Sequence, residues 1–430
     1  MTFRKVNIHP DGLGRTLLAW RGLMVMLRFM PGSPMPLYVT IRQRCRVTGG
    51  KMTSKERKEN RYRRRSEARV AKKAERLKTA DDFDAVFSFE NLYRSYRCCI
   101  RGVSWKASVQ RYIEAAPRNL YQTWERLQRG TYRSPGFFEF DLCERGKLRH
   151  IRSTIISERV VQRCLCDNAL VPALTPTYIH DNGASMAGKG YHFAIRRLEQ
   201  LLREHYRKHG REGYVLVYDF SKFFDNVSHE ILAEIFEKTF KDEKVKKLVT
   251  HFVDAFGAVG LGLGSQISQV LALASANRLD HYIKEVLRIR GYCRYMDDGI
   301  LISDSKEELR KCRDEIQRIC SELKITLNQK KTQIVKISHG FTWLKARITI
   351  TETGRIIKKI CKTSVVHARR RLKHMAKEFG KKFQFSDAYN SVASWTGYAR
   401  NFNAHNSIRS IWKLFNNLFV WRDCYVHQNL

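Results

Sequence analysis

A pair of aspartates at the tip of a predicted β-hairpin constrains the fold of this chain most strongly. Asp297 and Asp298 lie between two β-prone runs, GYCR and GILIS. A further acid, Asp219, directly follows the apolar, β-prone run from Tyr214 to Tyr218. Carboxylates packed this closely repel one another, and some stay protonated unless cations bind them. The pattern therefore indicates a strand end beside a hairpin tip, with three carboxyl groups at one place.

Such a cluster of acids suits divalent cations, because Mg²⁺ prefers carboxylate oxygens. Two ions about 3.5–4 Å apart can activate an attacking oxygen and neutralise a leaving one. Phosphoryl transfer depends mainly on that kind of positioning and charge neutralisation. Taken by itself, however, an aspartate pair in a turn is more often a polar turn than a catalytic feature. Both interpretations stand until further residues decide between them.

The net charge points to a polyanionic partner. Lysine and arginine total 80 against 42 acids, a formal charge of +38. This imbalance strains a compact fold unless a polyanion screens it, so nucleic acid is the first partner expected and an anionic membrane surface the second. We expect no membrane span, since charges interrupt the most apolar stretch, 17–30. The eleven cysteines form no CxxC pair, which argues against a zinc finger and favours reduced thiols.

The N-terminal residues differ in composition from the rest. Residues 1–51 are basic, poor in acids and without a persistent period, so a transit peptide is one interpretation. We favour another, in which 1–51 is a non-native or disordered extension and translation starts at Met52. The codons for the preceding Gly-Gly-Lys can form a purine-rich stretch that resembles a bacterial ribosome-binding site. Residues 52–81 are then a basic arm, either a solvated helix or a segment that binds phosphates.

The spacing of apolar residues predicts alternating helices and hairpins along the chain. Helices are predicted over 82–129, 157–206 with a glycine-rich break at 183–190, 228–256, 266–290, 305–323 and 363–420. Strands are predicted as hairpins over 137–156 and 291–303, single strands over 214–218 and 325–337, and a β pair over 341–360. The chain is therefore expected to be of the α+β class.

Several short motifs, taken in order, resemble those of reverse transcriptases. The resemblance covers roughly residues 83–420. Its motifs are the box Tyr295-Met-Asp-Asp298, Asp219-Phe-Ser-Lys-Phe-Phe-Asp225, Gly262-Leu-Gly-Ser-Gln-Ile-Ser-Gln269, Leu327-Asn328 with Lys331-Thr332, Phe341-Thr-Trp-Leu344, Arg149-His-Ile151 and Ser157-Glu-Arg-Val-Val-Gln162. The resemblance implies a right-hand polymerase: fingers over 82–213, a palm over 214–340, and a primer grip with a helical thumb over 341–430. The palm would be an antiparallel sheet with helices on one face.

The resemblance also assigns metal-binding roles. Asp219 and Asp297 would bind two Mg²⁺ ions, for which Mn²⁺ could substitute. The backbone carbonyl of Phe220 would assist, and Asp298 would support the ion on the primer side. Phe224 would pack against the nucleotide sugar and exclude a 2′-hydroxyl group, although plain core packing is the alternative for this side chain.

Further residues of these motifs would bind the nucleotide. Arg149 would hold the triphosphate, because a guanidinium binds phosphate oxygens bidentately. Lys331 would neutralise or protonate the departing pyrophosphate. Gly264, Ser268 and Gln269 would shape the nucleotide pocket. A surface charge at Arg149 and a solvated lysine at position 331 are the alternatives. The implied partners are template RNA, an RNA/DNA duplex and dNTPs.

The glycine-rich segment 183–190 nearly matches the phosphate loop of NTPases. Gly190 stands where that loop needs a hydroxyl group, and no convincing strand precedes the segment. We therefore expect this segment to contact the template rather than to bind ATP.

The third palm motif narrows the subfamily. It reads Leu263-Gly264 and ends in Ser268-Gln269, where most bacterial relatives read Q-G-x-x-x-S-P. This form resembles the reverse transcriptases of diversity-generating retroelements, which miscopy template adenines. Leucine cannot replace the hydrogen bonds of glutamine, so looser nucleotide selection is expected. Such an enzyme would be cytoplasmic, bacterial or phage-encoded, and could work with a small basic accessory protein.

Other subfamilies stay open. Lys345 replaces the glycine usual in the primer grip. Retron, phage-defence and group II intron enzymes are alternatives, as is a noncatalytic RNA-binding scaffold.

Overall fold

The computed structural model describes residues 53–144 and 147–420. The chain divides into two units, residues 1–68 and 69–430. The proposed extension 1–51, the start at Met52 and the centre of the predicted turn at 145–146 lie outside the described residues. Within the described part of the chain, no helix is long and apolar enough to cross a membrane.

Helices form where the apolar spacing predicts them. The basic arm is a continuous helix, α1, and residues 82–129 form four helices. The described α-helices are α1 Ser54–Ala80, α2 Phe83–Val86, α3 Phe89–Ile100, α4 Ala107–Glu114, α5 Ala116–Gln128, α6 Ile156–Leu165, α7 Val171–Leu174, α8 Tyr191–His209, α9 His229–Thr239, α10 Glu243–Asp254, α11 Gln266–Ser275, α12 Asn277–His281, α13 Lys306–Glu322, α14 Lys362–Lys377, α15 Phe385–Ala399 and α16 His405–Phe415. Short π-helical turns follow α6, α12 and α16.

The strands form three antiparallel sheets in the described residues. They are β1 Phe137–Glu144, β2 Lys147–Thr154, β3 Tyr214–Asp219, β4 Gly291–Tyr295, β5 Asp298–Ser303, β6 Gln333–Lys336, β7 Phe341–Trp343, β8 Ala346–Ile350 and β9 Ile356–Ile360. β1 and β2 form the predicted fingers hairpin, and β7, β8 and β9 form a small sheet. The central sheet has the order β4-β5-β3-β6.

The central sheet is covered on both faces. Side chains alternate along a strand, so Leu216 and Tyr218 lie on one face and Val215 and Val217 on the other. The first face packs into the main core, with α13 and the helices between β3 and β4. The second face packs against α8 and the sheet β7-β8-β9. The predicted helical cover is present, and the second face is closed as well.

The C-terminal helices form a separate core. α14, α15 and α16 pack around buried side chains that include Leu372, Val392 and Phe415. The apolar spacing that predicted a helical thumb therefore corresponds to a bundle of three helices with its own buried core. The predicted limits of fingers, palm and thumb stay predictions, because no division within residues 69–430 tests them.

Two predicted strand segments differ in detail. Only β6 of the predicted strand 325–337 is a strand, apart from a bridge between Phe220 and Leu327. The chain turns after Asn328, whose carbonyl accepts hydrogen bonds from the backbone N–H groups of Lys331 and Thr332. The β pair predicted over 341–360 is a three-stranded sheet, since positive φ angles at Leu344 and Lys345 allow a tight turn.

Candidate active site

The three predicted aspartates meet at one end of the central sheet. Asp219 ends β3 and Asp298 begins β5, and the two residues are directly opposite in the antiparallel register. Asp219 lies close enough to Asp298 to raise the pKa of the Asp298 carboxyl group. Asp297 lies in the turn before β5, and its carbonyl accepts a hydrogen bond of 3.1 Å from the N–H of Phe220. The structure therefore brings Asp219, Phe220, Asp297 and Asp298 together.

Burial and mutual repulsion set the charge of these carboxyl groups. Burial, followed by the charges of Asp297 and Asp219, raises the pKa of Asp298 to about 7. Burial and the charge of Asp219 also raise the pKa of Asp297. Protonated and ionised forms of Asp298 therefore coexist near neutral pH. A bound cation would favour the ionised forms and remove the proton.

Lys331 lies beside the same carboxylates. Its ammonium group donates a hydrogen bond of 2.8 Å to Oδ2 of Asp219, and Asn328 donates to the same oxygen over 3.3 Å. This contact with Asp219 raises the pKa of Lys331, so its charge is retained. The backbone N–H of Asn328 also donates to the carbonyl of Asp219 over 2.8 Å. The turn at Asn328 thus places the predicted lysine next to the acids.

The donor set suits a hard divalent cation. Among the described residues, no three acidic, histidine or cysteine side chains are gathered closely enough to form a metal cage. Burial nevertheless raises the pKa of Asp297 and of Asp298, and Lys331 pairs with Asp219, as expected of carboxylates whose charge is incompletely compensated. Carboxylate oxygens are the ligands that Mg²⁺ prefers. The residues fit such an ion, and the identity and number of ions stay predictions.

Two palm motifs meet beside this site. Phe224 is half-buried in a short 3₁₀ turn, and its ring packs edge-on against Phe223 at a centroid distance of 5.9 Å. Its carbonyl accepts a hydrogen bond of 2.7 Å from the N–H of Leu261. At Gly260, a Cβ would lie 2.5 Å from the carbonyl oxygen of Asp225. Close backbone packing therefore joins the segment of Phe224 to the start of the motif 262–269.

The fingers hairpin approaches the same motif. Gly264 has a φ of +112°, and a Cβ there would lie 3.3 Å from the carbonyl oxygen of Arg152. Gln269 is exposed and accepts a hydrogen bond of 3.1 Å from Ser185 in the glycine-rich segment. The fingers hairpin, the glycine-rich segment and the third palm motif are therefore neighbours, as a shared nucleotide pocket requires.

Two predicted pocket residues are placed less favourably. Ser268 is 1% exposed, and its hydroxyl has no hydrogen-bond partner among the described residues. It faces the interior of the protein in this conformation. Arg149 pairs with Leu142 in the fingers hairpin, and its side chain is outside the described part of the structure. The glycine-rich segment is not preceded by a strand, in agreement with the rejection of an NTPase loop.

Sequence reasoning missed two buried polar networks. The first joins Arg294 and Asp280, both fully buried, and Arg294 also donates to the carbonyl of Met296 in the aspartate turn. The second joins Glu158 to Gln162 over 2.7 Å, and Gln162 to Ser265 at the start of α11 over 2.8 Å. The signal for the first was an arginine inside an otherwise apolar strand. A glutamate and a glutamine four residues apart on α6 were the signal for the second.

Comparisons with known proteins show similarity to one protein family over the middle of the chain. Residues 144–348 match the family model described as reverse transcriptase (RNA-dependent DNA polymerase). The Escherichia coli (strain K12) protein YkfC is 26% identical over 250 residues, which are 47% of this chain and 64% of that protein. The segment 144–348, which matches the family model, contains the three aspartates and Lys331. The predicted enzyme class, RNA-directed DNA polymerase, is that of the matching family.

Solved structures show weaker likenesses. A telomerase from Candida albicans, in complex with a TWJ fragment of telomeric RNA, aligns with a TM-score of 0.41 and 11% identity over 67% of this chain and 56% of that one. An apo telomerase from Candida tropicalis aligns with a TM-score of 0.43 and 13% identity over 73% and 64%. The chain thus spans less than two thirds of the length of these relatives. Together with the antiparallel palm sheet, the family match confirms the predicted right-hand polymerase fold.

Proposed function

We propose that this chain is an RNA-directed DNA polymerase that copies an RNA template into cDNA, because residues 144–348 match the reverse transcriptase family model. One observation carries the proposal: Asp219 and Asp298 face one another across two paired strands, with Asp297 in the adjoining turn. Three carboxyl groups at one sheet end, inside a domain of this family, favour metal-assisted nucleotidyl transfer over a noncatalytic scaffold.

The proposed mechanism uses the acids as metal ligands. Asp219, Asp297 and Asp298 would hold two Mg²⁺ ions, assisted by the carbonyl of Phe220. When bound, such ions activate an attacking hydroxyl group and neutralise a leaving phosphate. Lys331 lies 2.8 Å from Asp219 and is positioned to supply positive charge, or a proton, to the departing pyrophosphate. Mn²⁺ could replace Mg²⁺ in the same oxygen-rich site.

The nucleotide would bind between the fingers hairpin and the third palm motif. Gly264 admits the hairpin backbone at close range, and Gln269 is exposed beside the glycine-rich segment. Phe224, tied to the same motif through Leu261, would pack against the sugar and reject a 2′-hydroxyl group. Arg149 would bind the triphosphate, and Ser268 would help to shape the pocket.

Primer extension on a defined RNA template with Mg²⁺ tests the polymerase proposal. The double variant Asp297→Asn, Asp298→Asn should make no cDNA while it still binds the RNA. The matched control is Asp304→Asn, an exposed acid that follows the other end of β5, and it should retain wild-type synthesis. Undiminished synthesis by the double variant would contradict the proposal.

We further propose that copying is error-prone, as in a diversity-generating retroelement. The support is Leu263, which cannot make the hydrogen bonds of the glutamine usual at this place. Sequencing of the cDNA should show errors concentrated at template adenines, and Leu263→Gln should reduce them. Accurate cDNA from the wild-type protein would instead favour a retron, phage-defence or group II intron type.

The proposed partners follow from the same function. They are template RNA, the RNA/DNA duplex and dNTPs, with a small basic accessory protein as a further candidate. The location proposed is the cytoplasm of a bacterium, with either a bacterial or a phage gene as the source. A template and variable repeat beside the gene would support the retroelement type.

A further inference from the structure

We infer that Arg294 is a positioning residue for the active-site aspartates, because its buried guanidinium holds the turn that carries Asp297 and Asp298. The inference rests on the proposed function of those acids as metal ligands. It concerns a residue outside the aspartate box itself, the fourth of the five residues of β4. Arg294 has 0% of its surface exposed, as has its partner Asp280.

The guanidinium is fixed by a bidentate ion pair. Nε and Nη2 of Arg294 donate to the two carboxylate oxygens of Asp280, each over 2.7 Å. Tyr292 donates to Oδ1 of Asp280 over 2.6 Å, and its hydroxyl lies 2.8 Å from that of Tyr218. Two parallel hydrogen bonds restrict the guanidinium plane to one orientation. Asp280 on α12 therefore serves as the anchor from which Arg294 reaches the turn.

The third guanidinium nitrogen, Nη1, contacts the turn directly. Nη1 of Arg294 donates to the carbonyl oxygen of Met296 over 2.6 Å. Met296 has a φ of +54°, an unfavourable backbone conformation for a residue with a side chain. This conformation persists only where the surroundings impose it. A charge-assisted hydrogen bond to the carbonyl of the same residue supplies such a constraint, one residue before Asp297.

The backbone of Arg294 is held on its other side too. Its N–H donates to the carbonyl of Asp181 over 3.1 Å, and its own carbonyl accepts from Gly183 over 2.9 Å. β4 thus lies between β5 and the segment 181–183. The guanidinium of Arg294 therefore contacts the turn itself, while backbone hydrogen bonds to β5 and to the segment 181–183 fix the two edges of β4.

Core packing does not explain the choice of arginine. Removing a charged pair from water is costly, and apolar residues of similar volume often give a core of equal or greater stability. An apolar side chain cannot donate to Met296 while binding a carboxylate. A lysine supplies charge but not the planar, bidentate geometry. Only arginine can therefore donate hydrogen bonds to both oxygens of Asp280 and to the carbonyl of Met296 at the same time.

The test compares a single and a double variant of the full chain. Arg294→Lys keeps the positive charge but loses the planar guanidinium group that binds Asp280 through two hydrogen bonds. The double variant Arg294→Met, Asp280→Leu removes the whole ion pair and should fold, because it leaves no unpaired buried charge. The control is Lys246→Met on α10, a helix that does not carry the aspartates; this change removes two ion pairs, to Glu237 and Glu243. The measurements are the melting temperature, Mn²⁺ binding by electron paramagnetic resonance without RNA or nucleotide, and the Mg²⁺ dependence of primer extension.

We expect both Arg294 variants to bind Mn²⁺ about 10–100-fold more weakly, the usual effect of losing a residue that orients metal ligands. They should need correspondingly more Mg²⁺, whereas Lys246→Met should change only the melting temperature. Wild-type Mn²⁺ affinity in either folded Arg294 variant overturns the inference. Failure of both to fold also overturns it, since Arg294 would then serve core stability. Wild-type protein that binds Mn²⁺ but makes no cDNA would refute the polymerase proposal and leave this inference standing.

Discussion

Gly299 is the position at which the smallest side-chain addition should do most damage. It follows Asp298 on β5 and pairs with Tyr218 in the antiparallel register. A Cβ at Gly299 would lie 2.5 Å from the phenolic oxygen of Tyr218 and closer still to the ring carbons Cζ and Cε1. The ring cannot easily move, because Tyr218 is fully buried, its hydroxyl is bonded to that of Tyr292, and Phe220 packs against it. Gly299→Ala must therefore displace β5 or the ring.

The expected cost follows from this overlap. Insertion of a methyl group into a close-packed core destabilises a protein by about 1–3 kcal/mol. With about 2–4 °C per kcal/mol for a domain of 150–250 residues, the melting temperature should fall by roughly 2–12 °C. Because Asp298 precedes the substituted residue, the displacement should also reduce cDNA synthesis in variants that remain folded.

Thermal melting followed by primer extension below the melting temperature measures both effects. The control is Gly397→Ala on the exposed side of α15, where a Cβ would meet nothing within 4 Å. That change should stabilise the helix by up to about 1 kcal/mol. Adding Tyr218→Phe to Gly299→Ala should not rescue the variant, since the two ring carbons remain. A Gly299→Ala protein as stable and active as wild type would refute the reasoning.

Three further changes have expected outcomes. Lys331→Ala should slow single-nucleotide incorporation by about 10²–10⁴-fold, the usual contribution of a positioned proton donor, while RNA binding in a filter assay stays unchanged. Burial raises the pKa of Glu158, against the hydrogen bonds from Ser134 and Gln162 that lower it. The wild-type protein should therefore lose stability as the pH rises through this raised pKa. Glu158→Gln has no such group, so its melting temperature relative to wild type should increase between about pH 4 and 8. A difference in melting temperature that stays constant with pH would contradict this. In the basic arm, the double variant Arg64→Ala, Arg65→Ala should weaken RNA binding. The slope of log K against log salt concentration should become shallower, by an amount equivalent to the loss of up to about two phosphate contacts. An unchanged salt slope would identify this part of α1 as a solvated helix.

The sequence was sufficient to predict the elements that carry the acids. β3 and the hairpin β4–β5 are short apolar runs that end in aspartates, and local sequence specifies such features well. The order of the motifs then placed Asp219, Asp297 and Asp298 together. Lys331 was predicted to act on the departing pyrophosphate, but its contact with Asp219 was not predicted, because the turn at Asn328 that makes this contact was predicted as a strand. Asparagine often starts turns, and this competing preference prevailed.

Arg294 could not be assigned from the sequence, since an arginine in a strand normally indicates an exposed edge or face. Its burial depends on Asp280, fourteen residues earlier on α12 and brought close only by the fold. A pairing between residues on separate elements leaves no periodic pattern along the chain. The same holds for the contact from Ser265 to Gln162, 103 residues apart.

The sequence also did not indicate which face of the central sheet carries the aspartates, because β3 is buried on both faces. A strand buried on one face alternates between apolar and polar residues, and that alternation assigns its faces. β3 is buried on both faces and reads as a continuous apolar run. The register decides the face, because Asp219 pairs with Asp298 and Val217 pairs with Ile300. Both carboxyl groups therefore lie on the face of the sheet that packs against α8 and the sheet β7-β8-β9. The acids thus lie at the end of a buried apolar row, which explains why burial is the largest cause of the raised pKa of Asp298.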